Sequence, residues 1–263
     1  MPLRGRRARG CRPAVPGAGR QRELEGVILH LRSYGDAHRI VEVLTAEEGR
    51  LALIARGARS SRRRFAGALD LFVSLRMQCS TGGDLWSIDA ADVMTPRLAL
   101  RDDLVRLHRA SLIAEIIRVL APEHHAAADA YSALCHGLDS LERGNTAAAA
   151  SSLPRALAAA GILPETVQCV RCGAPEPERG LLEPAAPGVI CLDCASPQRT
   201  FRMALLDLAS GVEAALDEVG TLEDSVAAWV EAHIGRQLRS HRALMAIRGP
   251  KDAGSLEIPP KAV

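Results

Sequence analysis

The hydrophobic period of this chain changes near Pro96, and that change divides what the chain can fold into. Before it, from Glu23 to about Met94, apolar residues come in short runs: LEGVILHL, RIVEVLT, RLALIARG, LDLFVSLRMQ and LWSIDAADV. These runs are rich in Val, Ile and Leu and partly alternate, which is the mark of strands. Turn-forming stretches separate them: SYGD, AEEG, RGARSSRRRF and TGGD. Five strands within about 70 residues suit a small closed barrel rather than a sandwich. The expectation is a five-stranded oligonucleotide-binding (OB) barrel over residues 23–97, and periodicity alone leaves an SH3-like barrel open.

After Pro96 the period becomes helical. In RDDLVRLHRASLIAEIIRVL, residues Leu104, Leu107, Leu112, Ile113, Ile116, Val119 and Leu120 share one face, with Asp102 and Asp103 near the positive end of the dipole. Further helices are expected over residues 126–141, over the alanine-rich 147–160, and over 205–216 despite Gly211. A last one should open with Thr221 and Asp224 in capping-box spacing and run through Val226, Trp229, Val230, Ile234 and Leu238. The expected fold is therefore α+β: an N-terminal barrel, then an all-α domain over residues 98–249. The Pro-, Gly- and Arg-rich residues 1–22 and the tail at 250–263 have the composition of flexible segments.

Within the helical part lie two CxxC pairs, Cys169–Cys172 and Cys191–Cys194, eighteen residues apart. Each pair marks a tight turn that aims two thiolates at one point, and two such turns complete a tetrahedron. Gly173 and Gly188 supply backbone freedom beside them. The spacing points to one Zn²⁺ per chain in a module at about residues 166–197, with disulfides as the competing chemistry. Four cysteine ligands leave no open position, so such a zinc is structural. Cys11, Cys79 and Cys135 have no partner at metal spacing.

Charge is unevenly distributed. Residues 1–64 carry fifteen arginines against six carboxylates, a net of +9, while the remainder nets −7. Only Lys251 and Lys261 are lysine, which reflects codon bias, but codon bias does not cluster residues. In RGARSSRRRF, the arginines Arg56, Arg59, Arg62, Arg63 and Arg64 fall in ten residues without an acid. Arginine's planar fork accepts phosphate oxygens bidentately, so these five, with Arg32 and Arg39, are the expected DNA contacts. Arg236, Arg239 and Arg242 are spaced i, i+3, i+6 on the expected last helix. Contact with DNA, contact with an acidic partner tail and a plain solvent face all remain open for them.

Aromatic residues make up only 3% of the chain. Sequence-tolerant single-strand binders usually display stacking platforms. The scarcity here points to backbone contact, with Phe72 and Trp86 expected in the core because they sit in apolar runs. No HxE, GxSxG, P-loop or GxGxxG is present, so no catalytic constellation is visible and a non-enzymatic protein is expected. No apolar run reaches the roughly 18–20 residues of a membrane span, so the expectation is a soluble, cytoplasmic chain.

With these motifs placed, the chain resembles the RecO family of bacterial DNA repair and recombination mediators, from about Leu24 to Met245. The resemblance rests on three stretches in order: EGVILHLRSYGDAHRIVEVLTAEEGRLALIARGARSSRRRFAGAL, then CVRCG with GVICLDC, then HIGRQLRSHRAL. The last places Gly235, Arg239, Ser240 and Leu244 at family positions, whereas residues 1–22 lie outside the pattern. The resemblance implies binding to single- and double-stranded DNA and annealing of complementary strands. It also implies partnership with RecR, help in loading RecA onto DNA coated by single-strand-binding protein, and contact with that protein's acidic, hydrophobic C-terminal tail. Two other readings stand beside it: a zinc-containing adaptor whose barrel binds protein, and a nucleic-acid-modifying enzyme, which the lack of any base, nucleophile or open metal site disfavours.

Overall fold

The computed structural model describes residues 20–59, 65, 67–81, 86–164, 168–175, 177–184, 188–195, 201–202 and 214–248. Five strands come first: β1 (Arg20–Tyr34), β2 (His38–Thr45), β3 (Gly49–Ala55), β4 (Ser74–Thr81) and β5 (Trp86–Thr95). They close in the order β1-β2-β3-β5-β4, with β3 and β5 parallel and every other pair antiparallel. This is the OB arrangement, and closure leaves the sheet without an open edge.

Alternation along β1 and β2 is incomplete because both faces are covered. Leu24, Ile28, Val41 and Val43 point into the barrel with Leu51, Leu53, Leu75, Met77 and Ile88. Val27, Leu29 and Leu44 point outward into a second core built by the helices. The fourth strand starts later than its apolar run suggests. Phe72 has φ +66°, which breaks the extended chain before Ser74, and its ring is buried in the helical core instead.

A 3₁₀ turn (Leu98–Arg101) leads into α1 (Leu104–Leu120), whose first turn is capped by Asp103 accepting from the Arg106 N–H at 2.7 Å. Then come α2 (Ala128–Glu142), α3 (Thr146–Ala150) and α4 (Ser152–Ala159). The last two replace the single helix expected over 147–160. Pro154 has no N–H to continue the ladder, and it is tolerated only in the first turn of a new helix. Next are β6 (Arg179–Glu183), β7 (Gly188–Cys191) and β8 (Phe201–Arg202), a small sheet in the order β7-β6-β8 carried by the helical region. Most of the helix expected over 205–216 lies outside the described residues, as do 1–19 and 249–263.

The end of the chain departs from expectation. The helix α5 (Val219–Ile234) begins before Thr221, and no side chain caps it. It stops where Gly235 takes the left-handed conformation at φ +70°, a position that suits glycine. A separate helix, α6 (Arg239–Ile247), follows. Its N-terminus is capped from α1: Glu115 accepts from the Arg239 and Ser240 N–H groups (3.3 and 2.8 Å) and from the Ser240 hydroxyl (2.5 Å).

The barrel and the helices meet at a seam of arginine ion pairs. Arg97, left-handed at φ +48° and 3% exposed, donates to the Phe72 carbonyl (2.7 Å), Ser74 Oγ (2.9 Å) and Asp139 of α2 (2.7 Å). Arg118 of α1 grips Glu42 of β2 with two bonds of 2.5 and 3.0 Å. Arg50 of β3 pairs with Glu123 of the α1–α2 loop at 2.5 Å. That loop lies so close to Gly49 (φ +63°) that a Cβ there would sit 2.1 Å from the His125 carbonyl oxygen.

Candidate nucleic-acid interface and metal centre

Four of the seven arginines expected to meet DNA are described, and the fold gathers them at one end of the barrel. Arg32 lies near the end of β1 and Arg39 near the start of β2, where the register pairs Ser33 with Arg39 and Arg39 with Ala55. Arg56 and Arg59 occupy the turns directly after β3. These turns are tied to the β1–β2 hairpin: the Arg59 N–H donates to the Ala37 carbonyl (3.1 Å), and the Gly57 N–H donates to His38 Nδ1 (2.9 Å). Two stretches about twenty residues apart in sequence thus present their cations together. Arg62, Arg63 and Arg64 lie outside the described residues.

The partners of these cations matter as much as their position. Among the described residues, Arg32 and Arg59 are exposed and form no ion pair. Arg39 is half-buried and donates to the Leu69 carbonyl at 3.1 Å, which spends part of its fork on the protein itself. Elsewhere on the barrel, arginines are neutralised: Arg22 by Glu48, Arg50 by Glu42 and Glu123, and Arg76 by Glu25. The arginine end is where positive charge remains available to a polyanion.

The aromatics distribute unevenly too. Phe65 and Phe72 are each 3% exposed. Trp86, expected in the core, is half-buried, with the Arg22 guanidinium 5.5 Å over its ring and the His124 ring 6.5 Å away. Tyr34, the last residue of β1, is 52% exposed. The sequence hid that exposure, because the YG of a turn reads alike whether the ring folds in or out.

Arg236, Arg239 and Arg242 do not share a helix. Arg236 sits in the linker after Gly235 and approaches Glu115 at 3.9 Å, while Arg239 and Arg242 belong to α6. The i, i+3, i+6 spacing fails because glycine ends α5 one residue earlier. Between α5, α6 and β6 lies a cleft of about 730 Å³, lined by Leu181, Leu182, Ala228, Met245, Arg242 and His241 among others. Three separate elements build it, so no sequence motif announces it. At its wall, buried His241 lies 3.2 Å from Asp224 and 3.3 Å from Glu231, and both carboxylates hold its pKa above the ordinary histidine value against the opposing effect of burial.

The cysteines converge. The sulfurs of Cys169, Cys172, Cys191 and Cys194 all lie within 4.8 Å of one another. Metal–sulfur bonds of about 2.3 Å in a tetrahedron separate the sulfurs by about 3.8 Å, so the four are placed to hold one metal ion. Each CxxC forms a hydrogen-bonded turn: the Gly173 N–H donates to the Cys169 carbonyl (2.9 Å) and the Cys194 N–H to the Cys191 carbonyl (3.1 Å). Burial opposes ionisation of Cys169, but N–H groups of Cys191, Cys172 and Arg171 outweigh it and bring the thiol to about 6. Hydrogen bonds with Cys172 and Cys191 push Cys194 the other way, up to about 12. Among the described residues the module's own core comprises Cys169, Ile190 and Cys191, too little to hold a fold by packing. Cys79 is buried in the barrel and Cys135 half-buried in α2, both away from this cluster.

Comparison with known proteins agrees with this architecture. The family model described as Recombination protein O N terminal matches residues 20–97, and that described as Recombination protein O C terminal matches residues 101–242. The chain is similar to a DNA repair protein RecO of Anaeromyxobacter sp. (strain K), 36% identical over 87% of this chain and 97% of the relative. It is 33% identical to that of Myxococcus xanthus, over 82% of this chain and 93% of the relative. It is 32% identical to that of Cutibacterium acnes, over 82% and 95%. A barrel in OB order, a helical region carrying four convergent cysteines, and family matches spanning both place this chain in the RecO family of DNA repair proteins.

Proposed function

We propose that this protein is a recombination mediator that binds single- and double-stranded DNA, anneals complementary strands and, with RecR, helps load RecA onto DNA coated by single-strand-binding protein. The observation that carries the proposal is the arginine end of the barrel, where Arg32, Arg39, Arg56 and Arg59 converge and Arg32 and Arg59 have no carboxylate partner among the described residues. Annealing requires two phosphate backbones to be screened from each other while base edges stay free. Arginine forks do the first and leave the second untouched. No covalent step is needed, and the proposed role is non-enzymatic and cytoplasmic, at the nucleoid. Among the described residues no helix is long and apolar enough to cross a membrane.

The acidic, hydrophobic tail of the coating protein suits the cleft beside α6, which offers apolar side chains and Arg242. The carboxylates there are already engaged, Asp224 and Glu231 by His241 and Asp224 also by Arg248. The thiolate cage suits Zn²⁺, held by Cys169, Cys172, Cys191 and Cys194. A closed four-thiolate shell serves structure, tying β7 and the loop before β6 into one unit.

Two measurements test this. Replacing Arg32, Arg59, Arg62, Arg63 and Arg64 by alanine should lower affinity for single strands. It should also flatten the dependence of log K on log salt by up to about 0.7 per lost contact. An unchanged slope at unchanged affinity rejects the arginine end as the DNA site. Metal analysis after reducing purification should find about one zinc per chain, removable only with loss of stability. Less than about a tenth of an equivalent rejects the metal centre.

A further inference from the structure

The arginine end carries one feature that phosphate binding does not use. Tyr34 is half exposed, and its hydroxyl has no hydrogen-bond partner among the described residues. Among the described barrel aromatics it is the exposed one, since Phe65 and Phe72 are buried and Trp86 is half-buried with the Arg22 guanidinium over its ring. Its mounting is firm. It pairs with His38 across the hairpin, and His38 is fixed by the Gly57 N–H at 2.9 Å. Gly35 turns the chain away immediately after it, at φ +58°, and a Cβ at Gly35 would meet nothing within 4 Å. Strand periodicity sets Arg32 on the same face as Tyr34, roughly 6.6 Å along the strand. A ring held at a strand end beside exposed cations is the combination that grips one base and its phosphates.

We infer that Tyr34 is a base-stacking platform that makes the arginine end favour single-stranded over duplex DNA. This rests on the DNA-binding function proposed above and adds the chemical class of contact, a nucleobase face. In a duplex every base face is already stacked on its neighbours, so Tyr34 has nothing to meet and only the arginines engage. In a single strand one base lies on the ring while the others remain free to pair. The sparse aromatic content of the chain is therefore compatible with strand discrimination, because one platform suffices.

The experiment compares full-length wild type with Tyr34→Ala and Tyr34→Phe on three probes: a dT oligonucleotide, an abasic oligonucleotide of equal length, and a duplex. Wild type should bind dT more tightly than the abasic strand. Tyr34→Ala should erase that preference, a loss of about 5- to 150-fold on dT, with little change on the abasic strand or the duplex. Tyr34→Phe should keep the preference, since the ring and not the hydroxyl does the stacking. If Tyr34→Ala keeps the wild-type preference, or weakens dT and duplex equally, the platform is wrong. If wild type binds none of the probes, the DNA-binding function itself fails, which is a different result from losing the preference.

Discussion

Arginine does opposite work at the two ends of this barrel. At the seam, Arg97 and Arg118 are turned inward against Asp139, Glu42 and the Phe72 carbonyl, and the Arg97 side chain is 2% exposed. At the loop end, Arg32 and Arg59 stand in solvent without a carboxylate partner among the described residues. The residue type is the same, and what differs is whether the fold brings a carboxylate to meet it. Buried, an arginine must be satisfied completely, because an unpaired charge in the interior is costly. Exposed and unpaired, it keeps its charge for a ligand. The first kind carries stability and the second carries affinity, so substitutions at the two ends should separate cleanly.

The sharpest break of that contrast is at Arg97. Replacing Arg97 with Met strips the donor from the Phe72 carbonyl, Ser74 Oγ and Asp139 at once. Chemical denaturation should show a loss of about 2–6 kcal/mol, about 1–3 for each of the two buried acceptors left unpaired, with the salt dependence of DNA binding intact. A loss below about 1 kcal/mol would mean that packing alone holds the seam.

Glu42→Gln tests the same seam more gently, at about 1.5–3 kcal/mol. Burial raises the Glu42 pKa, but the Arg118 hydrogen bond and charge, with His30 and Arg50, outweigh it and hold the carboxyl below its ordinary value. Its contribution is therefore present above the unfolded carboxylate pKa of about 4.3 and is lost as pH falls through the folded value. The stability gap between wild type and Glu42→Gln should be level near neutrality and close on acidification below that pH. A gap that is constant down to pH 3 would assign it to packing instead.

The smallest expected effect on folding lies at the other end. Arg32→Ala combined with Arg59→Ala should leave the unfolding midpoint in place while lowering the salt slope of single-strand binding. A lower midpoint with an unchanged slope would invert the contrast and make these arginines structural.

Much of this architecture is legible before folding is considered. The period-2 runs mark five strands, the 3.6-residue period marks α1, and two CxxC pairs mark a cluster able to hold a metal ion, because each signal is local and physically forced. Pro154 and Gly235 also sit in plain view, yet the breaks they impose at α4 and after α5 are read only with the flanking turns in hand. The late start of β4 is less visible still. Phe72 is turned out of the strand because its ring joins the helical core, a contact made by residues far along the chain.

By itself, then, the sequence determined the barrel-then-helix order, the convergence of four cysteines and the excess of arginine in the first quarter of the chain. Periodicity, ligand spacing and composition are properties of neighbouring residues and survive without tertiary contacts. Only the tertiary structure decided which arginines are neutralised and which are left open. An ion pair such as Arg118–Glu42 joins positions 76 residues apart, and no local pattern encodes that distance. The same holds for Tyr34: its 52% exposure at the end of β1, opposite His38, depends on the pairing of the hairpin and not on any local pattern.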